Sequence, residues 1–275
     1  AYMAGARRII PEQAAVFGSA PMDAYHFIFL LLPFNIRHAV EHSTSSCYAM
    51  PAESMASAES ASSLFAITSH EFWHLWNVKR IRPAALWPYR YDGEQYTTLH
   101  WFTEGVTDYY ADLILARCGL YSRETFFEQV ADNIAGLENS YAATVVSPAM
   151  SSYDSWLSPS SFSNPHLRTS YYPLGYRVGV LLDLKMRAMS DGKKSLDDVM
   201  RYLYKECYEK NRGVEEDGVR AAVEAVTGSS WRDFFRDFVE GTKPIDYAEY
   251  FSYFGLTWKE QPRAGLTWER IGIVR

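Results

Sequence analysis

The sequence predicts an α+β fold that is mainly helical, with a small strand-bearing lobe followed by a larger helical one. Three observations carry this. The run 25–32 is densely apolar and lies between Pro21 and Pro33, as a buried strand would. Ser195 is followed three residues later by Asp198, a capping pair, with Leu196, Val199, Met200 and Leu203 at helical spacing behind it. Ser230 and Asp233 repeat the arrangement, with Trp231, Phe234, Phe235 and Phe238 on one face and Gly241 as a stop.

Taken in order, a short helix is expected to open at Pro11-Glu12, ahead of the apolar strand at 25–32. Residues 38–50 mix polar and apolar side chains, which suits an edge strand or an extended loop. The Ala- and Ser-rich stretch 53–63 leads into a helix, and helical signals dominate from residue 62 onward. Residues 147–170, rich in serine and interrupted by three prolines, read as one long loop.

Composition narrows the function. The 275 residues hold 27 basic and 33 acidic side chains, a net charge of −6, and this mildly acidic balance argues against non-specific nucleic-acid binding. Tyr, Phe and Trp together make 16% of the chain, which suits a deep, ring-lined core or cleft. Cys47, Cys118 and Cys207 are widely spaced and read as small apolar residues, not as a disulfide framework or metal pair. The longest apolar run, 27–34, is too short to span a bilayer, and residues 1–8 have no apolar leader core. The chain opens on neither Met nor a leader, so a portion of a longer protein is expected.

The sharpest feature is His70-Glu71-Phe72-Trp73-His74 within a helical stretch. Residues four apart share a helix face, so both imidazoles can reach one metal ion while Glu71 stands beside its open position. A chain of this composition would carry about 0.01 such motifs by chance. A catalytic Zn²⁺ needs a third ligand, and Glu104 offers it: a lone carboxylate in the otherwise aromatic run 99–110 is costly to bury without a cation. Asp108, one turn on, is placed to accept a ligand histidine's other ring N–H, or else is an exposed helical acid. His26, His100 and His166 lack ligand spacing. Lys79, Arg80 and Arg82 read as cations complementing the end of the zinc helix before Pro83.

These residues match a family. Residues 68–83 resemble the zinc helix of the glycyl aminopeptidases, gluzincins usually associated with a PDZ domain, including the Asn-Val-Lys-Arg-x-Arg-Pro that stands here at 77–83. The family's Glu-Gly-x-Thr-x-Tyr-Tyr stands at 104–110, and the resemblance runs on through 152–156, 171–175 and 195–199. It implies a thermolysin-like zincin catalytic domain over 1–256, strand-rich at 1–58 and helical at 59–256, with zinc between the lobes. Residues 257–275 would then be a linker or strand leading to a C-terminal PDZ domain, with a β-rich domain preceding the chain.

The resemblance also implies roles. Glu41, on the strand 38–42, would receive a substrate's free ammonium group; its alternative is an edge-strand glutamate in water. Tyr172 would donate to the oxyanion, with adjacent Tyr171 as its rival. The family's glycines before Glu41 are His38 and Ala39 here, and its Tyr-x-Lys-Gly is Tyr172-Pro173-Leu174-Gly175. The implied activity is a zinc aminopeptidase with one Zn²⁺ per chain, which removes Gly or Ala from peptides with Glu71 as general base. A thermolysin-type endopeptidase would share the metal site without using Glu41. An inactive, zinc-stabilised interaction module would have no use for Glu71.

Overall fold

Helices account for most of the chain in the computed structural model, which describes residues 2–55, 58–157, 169–259 and 272–274. Helix α1 spans Tyr2–Phe17 and precedes three strands, β1 at His26–Leu32, β2 at His38–Glu41 and β3 at Ser45–Pro51. Then come α2 (Ala58–Trp73), α3 (Val106–Arg117), α4 (Arg123–Glu138), α5 (Pro148–Tyr153) and α6 (Tyr171–Met189). The last helices are α7 (Leu196–Leu203), α8 (Gly218–Thr227), α9 (Arg232–Phe235) and α10 (Tyr247–Ser252). The class is α+β and mainly helical, as the sequence predicts.

Several elements differ from expectation, each for a physical reason. Helix α1 starts nine residues before Pro11 because its buried positions, Gly5, Ala6, Ile9, Gln13 and Val16, keep helical spacing across the proline. Packing of that face outweighs the one hydrogen bond proline removes. Strand β1 is an edge strand, not a buried one, for the sheet order is β1-β3-β2 with β1 parallel and β2 antiparallel to β3. Only one face is covered: Phe27 and Phe29 pack inward beside Tyr48, whereas Ile28 and Leu30 point outward and are exposed. An apolar run signals a strand but not how many of its faces are covered.

The expected loop at 147–170 is partly helical. Ser147 caps α5 by accepting from Met150 N–H, and a 3₁₀ turn follows at Asp154–Leu157. Ser152 accepts from Trp101 N–H at 2.8 Å, so two of those serines serve as local hydrogen-bonding groups. The remainder, 158–168, including His166, lies outside the described residues. Helix α7 forms where Ser195 and Asp198 place it, with Asp198 accepting from Ser195 N–H at 2.9 Å. At α9, Trp231 rather than Ser230 takes the cap position, and Glu224 accepts its N–H at 2.9 Å. In the last segment, β4 (Thr257–Lys259) pairs antiparallel with β5 (Gly272–Val274), and Trp258 stacks on Phe251. Among the described residues, no helix is long and apolar enough to cross a membrane.

Candidate active site

Helix α2 carries His70 and Glu71, and the next turn carries His74, whose N–H still bonds to His70 O at 3.3 Å. Each imidazole is oriented through its Nδ1: His70 toward Asp108 Oδ1 and His74 toward Asn77 O, both at 2.7 Å. A carbonyl oxygen only accepts, so His74 Nδ1 carries its proton and Nε2 presents a lone pair. The two Nε2 atoms lie 2.9 Å apart in a buried setting.

Glu104 arrives from a π-helical turn, Trp101–Gly105, that runs straight into α3. The extra residue in such a turn re-aims side chains and recurs at functional sites. That turn lies backbone to backbone against α6. A Cβ on Gly105 would sit 2.5 Å from Gly175 Cα, and one on Gly175 would sit 2.0 Å from Trp101 O. The glycine pair therefore permits a helix approach that any side chain would prevent. It also places Tyr172, at the start of α6, over the site, its ring stacked on His70 with centroids 6.1 Å apart.

Glu104 Oε2 stands 3.4 Å from both Nε2 atoms. Four ligands at about 2.05 Å around a tetrahedral Zn²⁺ are separated by about 3.3 Å, so edges of 2.9, 3.4 and 3.4 Å fit three of its corners. Two lone pairs and a carboxylate converging in a buried place require a positive charge among them. The nearby carboxylates also favour positive charge on the rings. Burial opposes charge on both histidines, yet Asp108 and Glu104 carry His70 well above its ordinary value, and chiefly Glu104 raises His74. Burial likewise opposes ionisation of Glu104, but the histidines hold its carboxyl well below the usual carboxylate range.

The other expected residues gather here. Glu71 is 5% exposed, burial pushes its carboxyl up, and its Oε2 has no hydrogen-bond partner. Ligand atoms of Glu41, Glu71 and His74 lie within 4.8 Å of one another. Glu41 is not a glutamate in open water: Lys79 Nζ holds its Oε1 at 2.8 Å, and His74 and Lys79 outweigh burial to lower its carboxyl. Tyr172 lines the cleft with its hydroxyl pushed up by desolvation and by Glu104, while Tyr171 packs against His100. His26 is exposed at the start of β1.

Three contributors escape sequence reasoning. Lys79 faces Glu41 instead of the helix dipole; Arg80 and Arg82 take that expected role, Arg80 donating to the Leu75, Ser43 and Pro21 carbonyls and Arg82 to Lys79 O. Asn77 orients His74 and ties the end of the histidine-bearing helix to the π turn and α3, donating to Phe102 O at 3.0 Å and Thr107 Oγ1 at 3.2 Å. Its place in the 77–83 motif was the available signal. Asp112, one further turn beyond Asp108, reaches a cleft of about 760 Å³ that runs from His70, Glu71 and Tyr172 between α2, α3, α4 and α6.

Residues 63–178 match the family model described as M61 glycyl aminopeptidase. Among solved structures, the chain is similar to an aminopeptidase N family protein from Idiomarina loihiensis, with 25% identity and a TM-score of 0.86 over 94% of this chain. It spans 46% of that protein's chain. None of the curated proteins compared with it matches.

Proposed function

We propose that this chain, which belongs to the M61 glycyl aminopeptidase family through residues 63–178, is a zinc-dependent aminopeptidase that releases small N-terminal residues, Gly or Ala, from peptides. The observation that carries the reading is the convergence of His70, His74 and Glu104 beside two further carboxylates, Glu71 and Glu41. The triad would hold one Zn²⁺, which when bound supplies Lewis-acid polarisation of the carbonyl and of water. The same reading takes 1–256 as a thermolysin-like catalytic unit with the metal between its strand-bearing and helical lobes. A preceding β-rich domain and a following PDZ domain would complete the full-length protein, in keeping with a structural relative whose chain is about twice as long.

The protein's own groups divide the remaining work. Glu71, desolvated and with a free Oε2, takes the proton of the attacking water and returns it to the departing amine. Tyr172 donates its hydroxyl proton in a hydrogen bond to the developing oxyanion. Glu41 offers Oε2 to the substrate ammonium while Lys79 fixes Oε1. The Lys79 and Glu41 side chains are only 13% and 21% exposed, and that confinement supports a small first residue.

Acetylating the amino terminus of a Gly- or Ala-initiated peptide removes the ammonium group Glu41 is meant to hold. We expect kcat/KM to fall by about 10²-fold or more, since a charge-assisted contact and a desolvated partner are both lost. Equal hydrolysis of free and acetylated peptides would instead indicate an endopeptidase. Asp108→Ala is expected to weaken zinc binding by about 10- to 100-fold, because His70 loses the acceptor that fixes its ring. Titration with a competing chelator reads this directly, and unchanged affinity would remove Asp108 from the site.

A further inference from the structure

Beside the catalytic groups lies a cleft of about 760 Å³ whose wall is rich in acceptors. Asp108 and Asp112 follow one another at a one-turn interval on α3, and Gln129, Asp132 and Asn133 of α4 close the far end. Arg37, the cation that lines it, and His38 are exposed and belong to the opposite wall, at the start of β2. Two unpartnered acceptor atoms point to a ligand with donors. Glu71, 5% exposed, has Oε2 without a partner, and the buried Oδ1 of Asn133 has none.

The direction of the substrate follows from where Glu41 stands. Its carboxylate groups with Glu71 and His74, whereas the cleft is bounded by His70, Glu71, Asp108 and Tyr172. A peptide whose ammonium rests on Glu41 must therefore pass Glu71 and send its second residue into the cleft. Along the π turn and α3, Asp112 lies eight residues from Glu104, roughly 12 Å at about 1.5 Å per residue. That distance is about one peptide unit plus an extended lysine side chain.

We propose that this cleft selects peptides with a basic residue at the second position, and that Asp112 is the carboxylate that receives it. This rests on the aminopeptidase reading, which fixes where the first residue sits. Asp112 Oδ2 accepts from Tyr176 Oη at 2.9 Å, which holds the carboxyl in place and leaves Oδ1 for a ligand. Burial pushes that carboxyl up to about 7, with the charge of Asp108 adding to it, so a cation arriving there relieves an existing cost. An apolar recess of about 300 Å³, lined by Ala49, Met50, Leu64 and Ile67, adjoins the cleft and is the competing place for a second side chain.

The test compares Gly-Lys-Gly with Gly-norleucine-Gly, which has a side chain of similar length without charge, and with Gly-Glu-Gly. The expected kcat/KM is at least about tenfold higher for lysine than for norleucine, as a desolvated ion pair requires, and lowest for glutamate. In Asp112→Asn the lysine-to-norleucine ratio should fall toward one. Norleucine equal to or better than lysine would assign the side chain to the apolar recess and overturn the proposal, as would a lysine preference that survives Asp112→Asn. The same peptides bound to zinc-loaded Glu71→Gln protein, measured by calorimetry, give the ratio without turnover. Failure to hydrolyse any free peptide would strike the aminopeptidase reading, while a binding ratio near one would strike this proposal.

Discussion

Replacing Glu71 by glutamine is expected to lower kcat by about 10²- to 10⁴-fold while leaving zinc in place. Glutamine matches glutamate in size, so the buried position is filled without a cavity, and the three ligand side chains are untouched. What disappears is basicity. Burial keeps the Glu71 carboxyl raised, and Oε2 is free to take a proton; an amide in its place cannot. Steady-state kinetics with metal analysis of the same sample checks both halves. KM should change little, because the lost interaction belongs to the transition state. Full activity in zinc-loaded Glu71→Gln would assign the base elsewhere, and the nearby Glu41 carboxylate would be the next to test.

How much of this was legible beforehand differs from residue to residue. His70 and His74 could be paired from spacing alone, since one helical turn is enough to bring two side chains together. Glu104 could be reached through cost, because a carboxylate among Trp101, Phe102 and Tyr109 needs a cation. Lys79 could not be read in this way. It stands among cations near a helix end, where the dipole is a sufficient reason for positive charge, and only the approach of β2 reveals its partner Glu41. The π turn at Trp101–Gly105 was equally hidden, for it is a consequence of packing against α6 and has no local composition of its own.

The strands make the same point from the other side. The run 25–32 announced a strand correctly, but its exposure depends on what covers the sheet. Helices α1 and α2 supply residues to only one face, where Tyr2 and Leu64 meet Phe27, Phe29 and Tyr48. Local pattern encodes the period of a strand; its neighbours are set by contacts distant in sequence. At the site these levels meet. Strand β2 brings Glu41, α2 brings His70 and Glu71, the π turn brings Glu104, and α6 brings Tyr172. The constellation thus depends on four separate packing contacts holding at once.

The tightest of those contacts is the glycine crossing, and Gly175→Ala is expected to break it. A methyl group there would meet Trp101 O at 2.0 Å, Trp101 C at 2.7 Å and Gly105 Cα at 2.9 Å. All three are backbone atoms, so no flexible side chain can swing aside, and α6 itself must shift. Its buried neighbours Leu174, Tyr176 and Val178 resist that movement. Overpacking of this kind costs about 3 kcal/mol or more, which for a chain of this size lowers Tm by about 6–12 °C. Activity should fall further than stability, since the same shift carries Tyr172 away from His70 and the Glu104 carboxylate. Gly136→Ala in α4 is the matched control: its added methyl meets nothing within 4 Å, so helix propensity should stabilise it by up to about 1 kcal/mol. Thermal unfolding of the two variants, followed by circular dichroism, decides the matter. Should Gly175→Ala melt with the unsubstituted protein, the close approach of α6 to the π turn is not what holds Tyr172 over the site.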